Sequence, residues 1–122
     1  MPKKILVVDD EPDILKVVIF RLKKAGYEVT SAVTGMGAFD ILKTMTPDLM
    51  VLDYRLPDTD GLEISKRIRS DARLKATPII LLSASSAHDI SAAVRDASVN
   101  EYLKKPFEPE ELLEKVRKYL GE

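Results

Sequence analysis

The chain has 122 residues, with 19 Lys and Arg against 20 Asp and Glu, so it fits one domain over 1–122 and its net charge of −1 argues against a nucleic-acid-binding surface. It contains no cysteine, which rules out disulfides and thiolate metal sites. Met1-Pro2-Lys3-Lys4 leads into only a short apolar run before Asp9 and Asp10, unlike a signal peptide, and no apolar stretch could span a bilayer; a cytoplasmic domain without membrane association is expected.

Strand and helix patterns alternate five times. Ile5–Val8 is continuously apolar, as in a strand buried on both faces. Pro12 suits the first turn of a helix, which carries Ile14, Val18 and Leu22 and stops near Gly26. Glu28–Ala32 is a weaker strand, expected near an edge. A second helix is predicted from Gly35 to Met45, through Ala38, Ile41 and Leu42, and Pro47-Asp48 breaks the chain before the strand Leu49–Leu52. Asp60 is a helix cap ahead of Ile64 and Ile68, and Pro78 introduces the strand Ile79–Leu82. Ile90, Ala93, Val94 and Ala97 make a helical stripe, Tyr102–Lys104 a short strand, and Pro109 opens a helix with Leu113, Val116 and Leu120 on one face. In that last helix Glu110 and Glu111 come early and Lys115, Arg117 and Lys118 late, in keeping with the helix dipole. Five βα units predict an α/β fold: a parallel five-stranded sheet in the order 2-1-3-4-5, doubly wound with five helices.

Four predicted strands end in residues able to handle phosphate or a metal: Asp9 and Asp10, Asp53, Ser83, and Lys104 or Lys105. In an open parallel sheet these ends lie along one edge, where ligands bind. Asp residues are common in turns, so Asp9 and Asp10 alone read equally well as structural. Asp53 ends an equally apolar strand, which makes coincidence harder. Two carboxylates at about 4 Å repel by roughly 4 kcal/mol at an effective dielectric near 20. The natural neutraliser is a hard divalent cation such as Mg2+. A carboxylate is also a competent nucleophile toward phosphorus. Ser83 could donate to a phosphate oxygen, and Pro106 could fix the preceding lysine through a rigid, even cis, bond. His88, the single histidine, reads as exposed surface, and Lys66, Arg67, Arg69, Arg73 and Lys75 read as a solvated helix face.

With these segments in place, the chain from about Lys4 to Leu120 closely resembles the receiver domain of bacterial and archaeal two-component response regulators, a flavodoxin-like fold. The resemblance implies that Asp53 is the phosphoacceptor. It implies a Mg2+ site with Asp10, Asp53 and the backbone carbonyl of Arg55 as direct ligands and Asp9 acting through water. Ser83 takes the place of the switch hydroxyl, Lys105 (not Lys104) that of the lysine before Pro106, and Tyr102 the aromatic switch position. Arg55 and Ser85 would border the path of water to the acyl phosphate. The expected activity is a phosphorylation-dependent signalling switch that catalyses only its own phosphorylation and dephosphorylation. Its expected partners are a histidine kinase or phosphotransfer protein and a downstream effector on the face of the fourth helix, fifth strand and fifth helix, with no direct nucleic-acid contact. The family often has Gly-Ala shortly before the aromatic; here Ser98-Val99-Asn100-Glu101 lacks the glycine that eases a helix ending. With no output domain in the sequence, a stand-alone receiver or a fragment of a longer regulator is expected.

Two rivals belong to other classes. A haloacid-dehalogenase-type phosphatase also uses a strand-end Asp nucleophile, but wants a second Asp where Arg55 stands. A flavodoxin-like electron carrier wants a hydroxyl- and glycine-rich loop after the first strand, where Asp9-Asp10-Glu11 would repel phosphate.

Overall fold

In the computed structural model, which describes residues 2–84, 91, 94–96 and 99–122, strands and helices alternate along the chain. The strands are β1 (Lys4–Val8), β2 (Glu28–Ala32), β3 (Leu49–Asp53), β4 (Ile79–Ser83) and β5 (Glu101–Lys104). They form one parallel sheet in the order β2-β1-β3-β4-β5, as the sequence predicts. The helices α1 (Pro12–Lys24), α2 (Gly35–Leu42) and α3 (Gly61–Arg69) follow the first three strands, and a C-terminal helix spans Pro109–Leu120. Residues 91 and 94–96 are helical, within the interval of the predicted fourth helix. Ser85, His88, Ile90, Ala93 and Ala97 lie outside the described residues.

Side chains of a strand alternate between faces, and here both faces are covered. Leu6, Val8, Met50, Leu52, Ile79 and Leu81 pack with Ala38 and Leu42 of α2 and Ile64 and Ile68 of α3. Ile5, Val7, Leu49, Val51, Ile80 and Leu82 pack with Val18 and Leu22 of α1 and Leu113 and Val116 of the C-terminal helix. That double burial explains the unbroken apolar runs of β1, β3 and β4. β2 is at the edge, and only Ala32 in it is buried.

The structure corrects one sequence expectation and adds detail to two others. α2 ends at Leu42 rather than Met45: Thr44 N–H turns back to Ile41 O at 3.1 Å, a tightened last turn before the extended approach to Pro47. In the basic stretch around α3, Lys66, Arg67, Arg73 and Lys75 are exposed as expected and Arg69 is partly buried, but three of the arginines are also engaged with the fold. Arg69 donates to Thr77 O at 2.7 Å and to Asn100 Oδ1 at 2.7 Å, and Arg73 donates to Thr46 Oγ1 at 2.6 Å and to Leu42 O. Arg67 lies 3.9 Å over the Phe39 ring. The missing glycine before β5 also has a substitute. Val99 N–H bonds Val94 O at 3.1 Å, while Asn100 bonds Ile79 through its backbone N–H at 3.0 Å and its side-chain oxygen at 2.8 Å.

The loop after β3 is held at both ends. Asp60 Oδ1 accepts from Glu63 N at 2.8 Å and caps α3, and Gly61 N donates to Tyr54 O at 2.8 Å. Asp58 reaches the other way, its two oxygens accepting from Gly35 N and Met36 N at 2.9 Å each, so it caps α2 beside Thr34. Those two backbone donors hold the Asp58 carboxyl below the usual range.

Gly61 has no room for a side chain: a Cβ would stand 2.6 Å from Asp53 O and 2.6 Å from Leu81 Cδ1. Gly61→Ala is therefore expected to destabilise the fold by about 2 kcal/mol, as overpacking against backbone does. Urea unfolding of the variant beside wild type measures it.

Candidate functional site

The register of the central strands builds the site. Val8 pairs with Leu52 and Asp53 with Leu82, so Asp9 and Asp53 come level at the C-terminal edge of β1 and β3. The ladder continues past the strand ends: Asp9 N donates to Ala32 O at 3.1 Å, Tyr54 N to Leu82 O at 2.7 Å, and Lys105 N to Ser83 O at 2.8 Å. These bonds fix the backbone beside the candidate site residues. Lys105 shares the alternation of Leu103, which faces the α1 side, whereas Lys104 is exposed. The Lys105–Pro106 bond is cis.

The Lys105 ammonium joins the acids. Its Nζ lies 3.1 Å from Asp53 Oδ2, 3.3 Å from Asp9 Oδ2 and 2.6 Å from Glu11 Oε1. Asp9 is fully buried, and its Oδ1 accepts from Glu11 N at 2.9 Å. Asp9 Oδ2 has only the ion-pair approach of Lys105, without a hydrogen bond. Asp53 and Ser83 are buried, Asp10 is exposed, and together with Glu11, Arg55 and Lys105 they line a cleft of about 340 Å³. Arg55 bridges to Asp60 through its backbone, and its guanidinium stacks 5.3 Å from the centre of the Tyr54 ring. Tyr102 is half-buried against the core on the α3 side of the sheet.

Burial, and after it the charge of Asp9, push the Asp53 carboxyl from 3.8 up to about 6 against the pull of Lys105. Burial works against the Lys105 ammonium, but Glu11, Asp53 and Asp9 outweigh it and raise its affinity for the proton. The cluster is thus short of positive charge. Carboxylate oxygens of Asp9, Asp10 and Asp53 lie within 4.8 Å of one another, a spacing one cation could bridge. An all-oxygen donor set, a buried Asp9 oxygen without a hydrogen bond, and an Asp53 that resists ionising all fit a hard divalent ion.

The structure gathers Asp9, Asp10, Asp53, Ser83, Arg55 and Lys105 around one cleft. Tyr102 stands one strand away, on β5. Sequence reasoning missed Glu11 as a partner of Lys105. Its place directly after two acids at a strand end was the available signal.

Residues 5–117 match the family profile of the response regulator receiver domain. Among curated proteins, the DNA-binding dual master transcriptional regulator RpaA of Synechocystis is 38% identical over 120 residues, covering 98% of this chain and 49% of that protein. The phosphate regulon transcriptional regulatory protein PhoB of Pseudomonas aeruginosa is 35% identical over 118 residues, covering 97% of this chain and 52% of that protein. The chain thus spans about half the length of the curated relatives it matches. Among solved structures, the chemotaxis response regulator CheY4 of Vibrio cholerae superposes with a TM-score of 0.92 at 30% identity, covering 98% of this chain and 99% of that one. The receiver domain of a sensor histidine kinase from Pseudomonas aeruginosa PAO1, with a magnesium ion coordinated in its active site cleft, superposes with a TM-score of 0.89 at 30% identity, over 100% of both chains.

Ionising Asp53 costs the folded state more than the unfolded chain. Stability should therefore fall as pH rises from 3.8 through about 6. Asp53→Asn removes that titration. Its advantage over wild type should be small at pH 4 and reach about 3 kcal/mol above pH 6. Added Mg2+ should narrow the gap by stabilising wild type. Thermal melts of both proteins across this range, with and without Mg2+, check the sign.

Proposed function

The chain belongs to the response regulator receiver domain family, and on that premise we propose that Asp53 is its phosphoryl acceptor. One observation carries this reading: the Asp53 carboxylate ends a buried strand inside the acidic cleft, 3.1 Å from the Lys105 ammonium. The donor is a phosphohistidine of a histidine kinase or phosphotransfer protein, or a small acyl phosphate. An Asp53 oxygen attacks phosphorus, the bond to the donor breaks, and the leaving group departs with its electron pair.

Asp10, Asp53 and the Arg55 carbonyl would hold Mg2+ directly, with Asp9 acting through water. The bound ion would neutralise charge developing on the transferred group. Lys105 supplies a second, resident positive charge, already within ion-pair distance of Asp53. Ser83, buried at the end of β4, offers a hydroxyl to the incoming phosphoryl oxygens. Drawing that hydroxyl inward leaves room for Tyr102 to turn. This changes the surface of the fourth helix, fifth strand and C-terminal helix, which a downstream effector reads. A ligand shifts such an equilibrium only by its differential contacts with the two states. Arg55 stands at the mouth of the cleft, where it can shield the acyl phosphate from water. Turnover of the chain's own aspartyl phosphate is the only catalysis this reading requires. Such a switch works in the cytoplasm beside its kinase, and among the described residues no helix is long and apolar enough to cross a membrane.

Incubation with acetyl phosphate and Mg2+ should add a single phosphoryl mass, absent in Asp53→Asn. Asp10→Ala should lose Mg2+ affinity and labelling together. Undiminished labelling of Asp53→Asn would overturn the assignment.

Ser83→Ala should still label but show smaller phosphorylation-dependent NMR shifts at Tyr102. Full-size shifts in that variant would disprove the coupling.

A further inference from the structure

Glu11 stands at the position just before α1, where a side chain ordinarily caps the helix. It makes no capping hydrogen bond. Its carboxylate turns instead onto Lys105, at 2.6 Å, the shortest of the three ion-pair approaches to that ammonium. An ammonium has three donors, and three carboxylates already face this one. Two of them, Asp9 and Asp53, are buried members of the acidic cluster. Glu11 is the outlier: its side chain is 55% exposed, and the cluster suited to a cation is formed by Asp9, Asp10 and Asp53 without it.

We propose that Glu11 is an internal competitor for Lys105, occupying the ammonium in the unphosphorylated protein and yielding it when a phosphoryl group arrives on Asp53. This rests on the reading of Asp53 as acceptor. A phosphoryl group brings two negative charges and three strong acceptor oxygens, so it needs a donor from Lys105. Asp9 is walled in and held by Glu11 N, so it has nowhere to go. Glu11 reaches Lys105 from the open side and can leave into water. It also has a second set of partners, because the first-turn N–H groups of α1 have no acceptors within the helix. The ion pair is therefore a latch that sets how readily the site charges. Part of each transfer is spent opening it.

The test compares wild type, Glu11→Gln, Lys105→Ala and the double variant at saturating Mg2+, so that any change in metal affinity drops out. Acetyl phosphate labelling gives the rate. Beryllofluoride, an unreactive phosphoryl mimic, gives an equilibrium affinity independent of turnover. Glu11→Gln should label about three- to fivefold faster and bind beryllofluoride tighter by a similar factor, the scale of one partly exposed ion pair. Both gains should vanish in the Lys105→Ala background. Gains that persist there would mean simple charge repulsion of the anion and would overturn the latch. Equal or slower labelling of Glu11→Gln beside a normally labelling wild type would overturn it too, leaving the acceptor assignment intact. Failure of wild type itself to label at Asp53 would remove the underlying reading, and the latch with it.

Discussion

Everything at the candidate site depends on one ammonium placed against too many carboxylates. The parallel sheet brings Asp9 and Asp53 level at its C-terminal edge, where burial makes both charges costly. Lys105 answers part of that cost, but it is divided among Asp9, Asp53 and Glu11. The resulting deficit shows in Asp53, whose carboxyl keeps its proton to about 6. A site left short of positive charge is receptive to a divalent cation. On the reading of Asp53 as acceptor, a bound cation would let the site take a phosphoryl group that the bare acids would repel. The same electrostatic tension that weakens the fold thus favours the entry of a cation.

Holding such a cluster together needs a rigid frame, and much of the remaining chemistry of the chain supplies one. Backbone bonds run past the ends of β1, β3 and β5, under the residues that matter. Asp58 and Asp60 fasten the loop after β3 to two different helices. At the opposite edge of the sheet, Arg69 ties the end of α3 to Thr77 and Asn100, and Asn100 in turn holds the start of β4. Each of these charged or amide groups has its donors or acceptors matched to backbone partners, as partly buried polar groups must.

The sequence was legible wherever a local pattern carried the information. Continuous apolar runs marked β1, β3 and β4 as doubly buried, and the polar residue ending each run marked the site. Prolines and Asp60 marked helix starts, and glycine or proline marked their ends. What stayed hidden were long-range pairings. Nothing near Arg69 or Arg73 in sequence announces the Thr77 and Leu42 carbonyls as their partners, so both read only as surface charge. The capping of α2 by Asp58 is hidden in the same way, because the residues it holds lie 22 and 23 positions away. Glu11 was overlooked because a strand-end acid beside two others reads as more of the same. The choice between Lys104 and Lys105 came from family resemblance, although alternation from Leu103 would have reached Lys105 unaided.

That alternation has a consequence for how the chain can vary. β5 offers only four residues, and its last side chains decide which lysine enters the cleft. Exchanging one residue for another along β5 leaves the parity untouched. Deleting one of the two lysines between Leu103 and Pro106 reverses it for the lysine that remains, because a one-residue slip turns every following side chain to the other face. The ammonium would then point toward the α3 side of the sheet, and the acids would lose their resident cation in a single step. What this segment guards is its count of residues more than their kinds: shortening it by one costs the site its ammonium, whereas exchanges along β5 leave the parity alone.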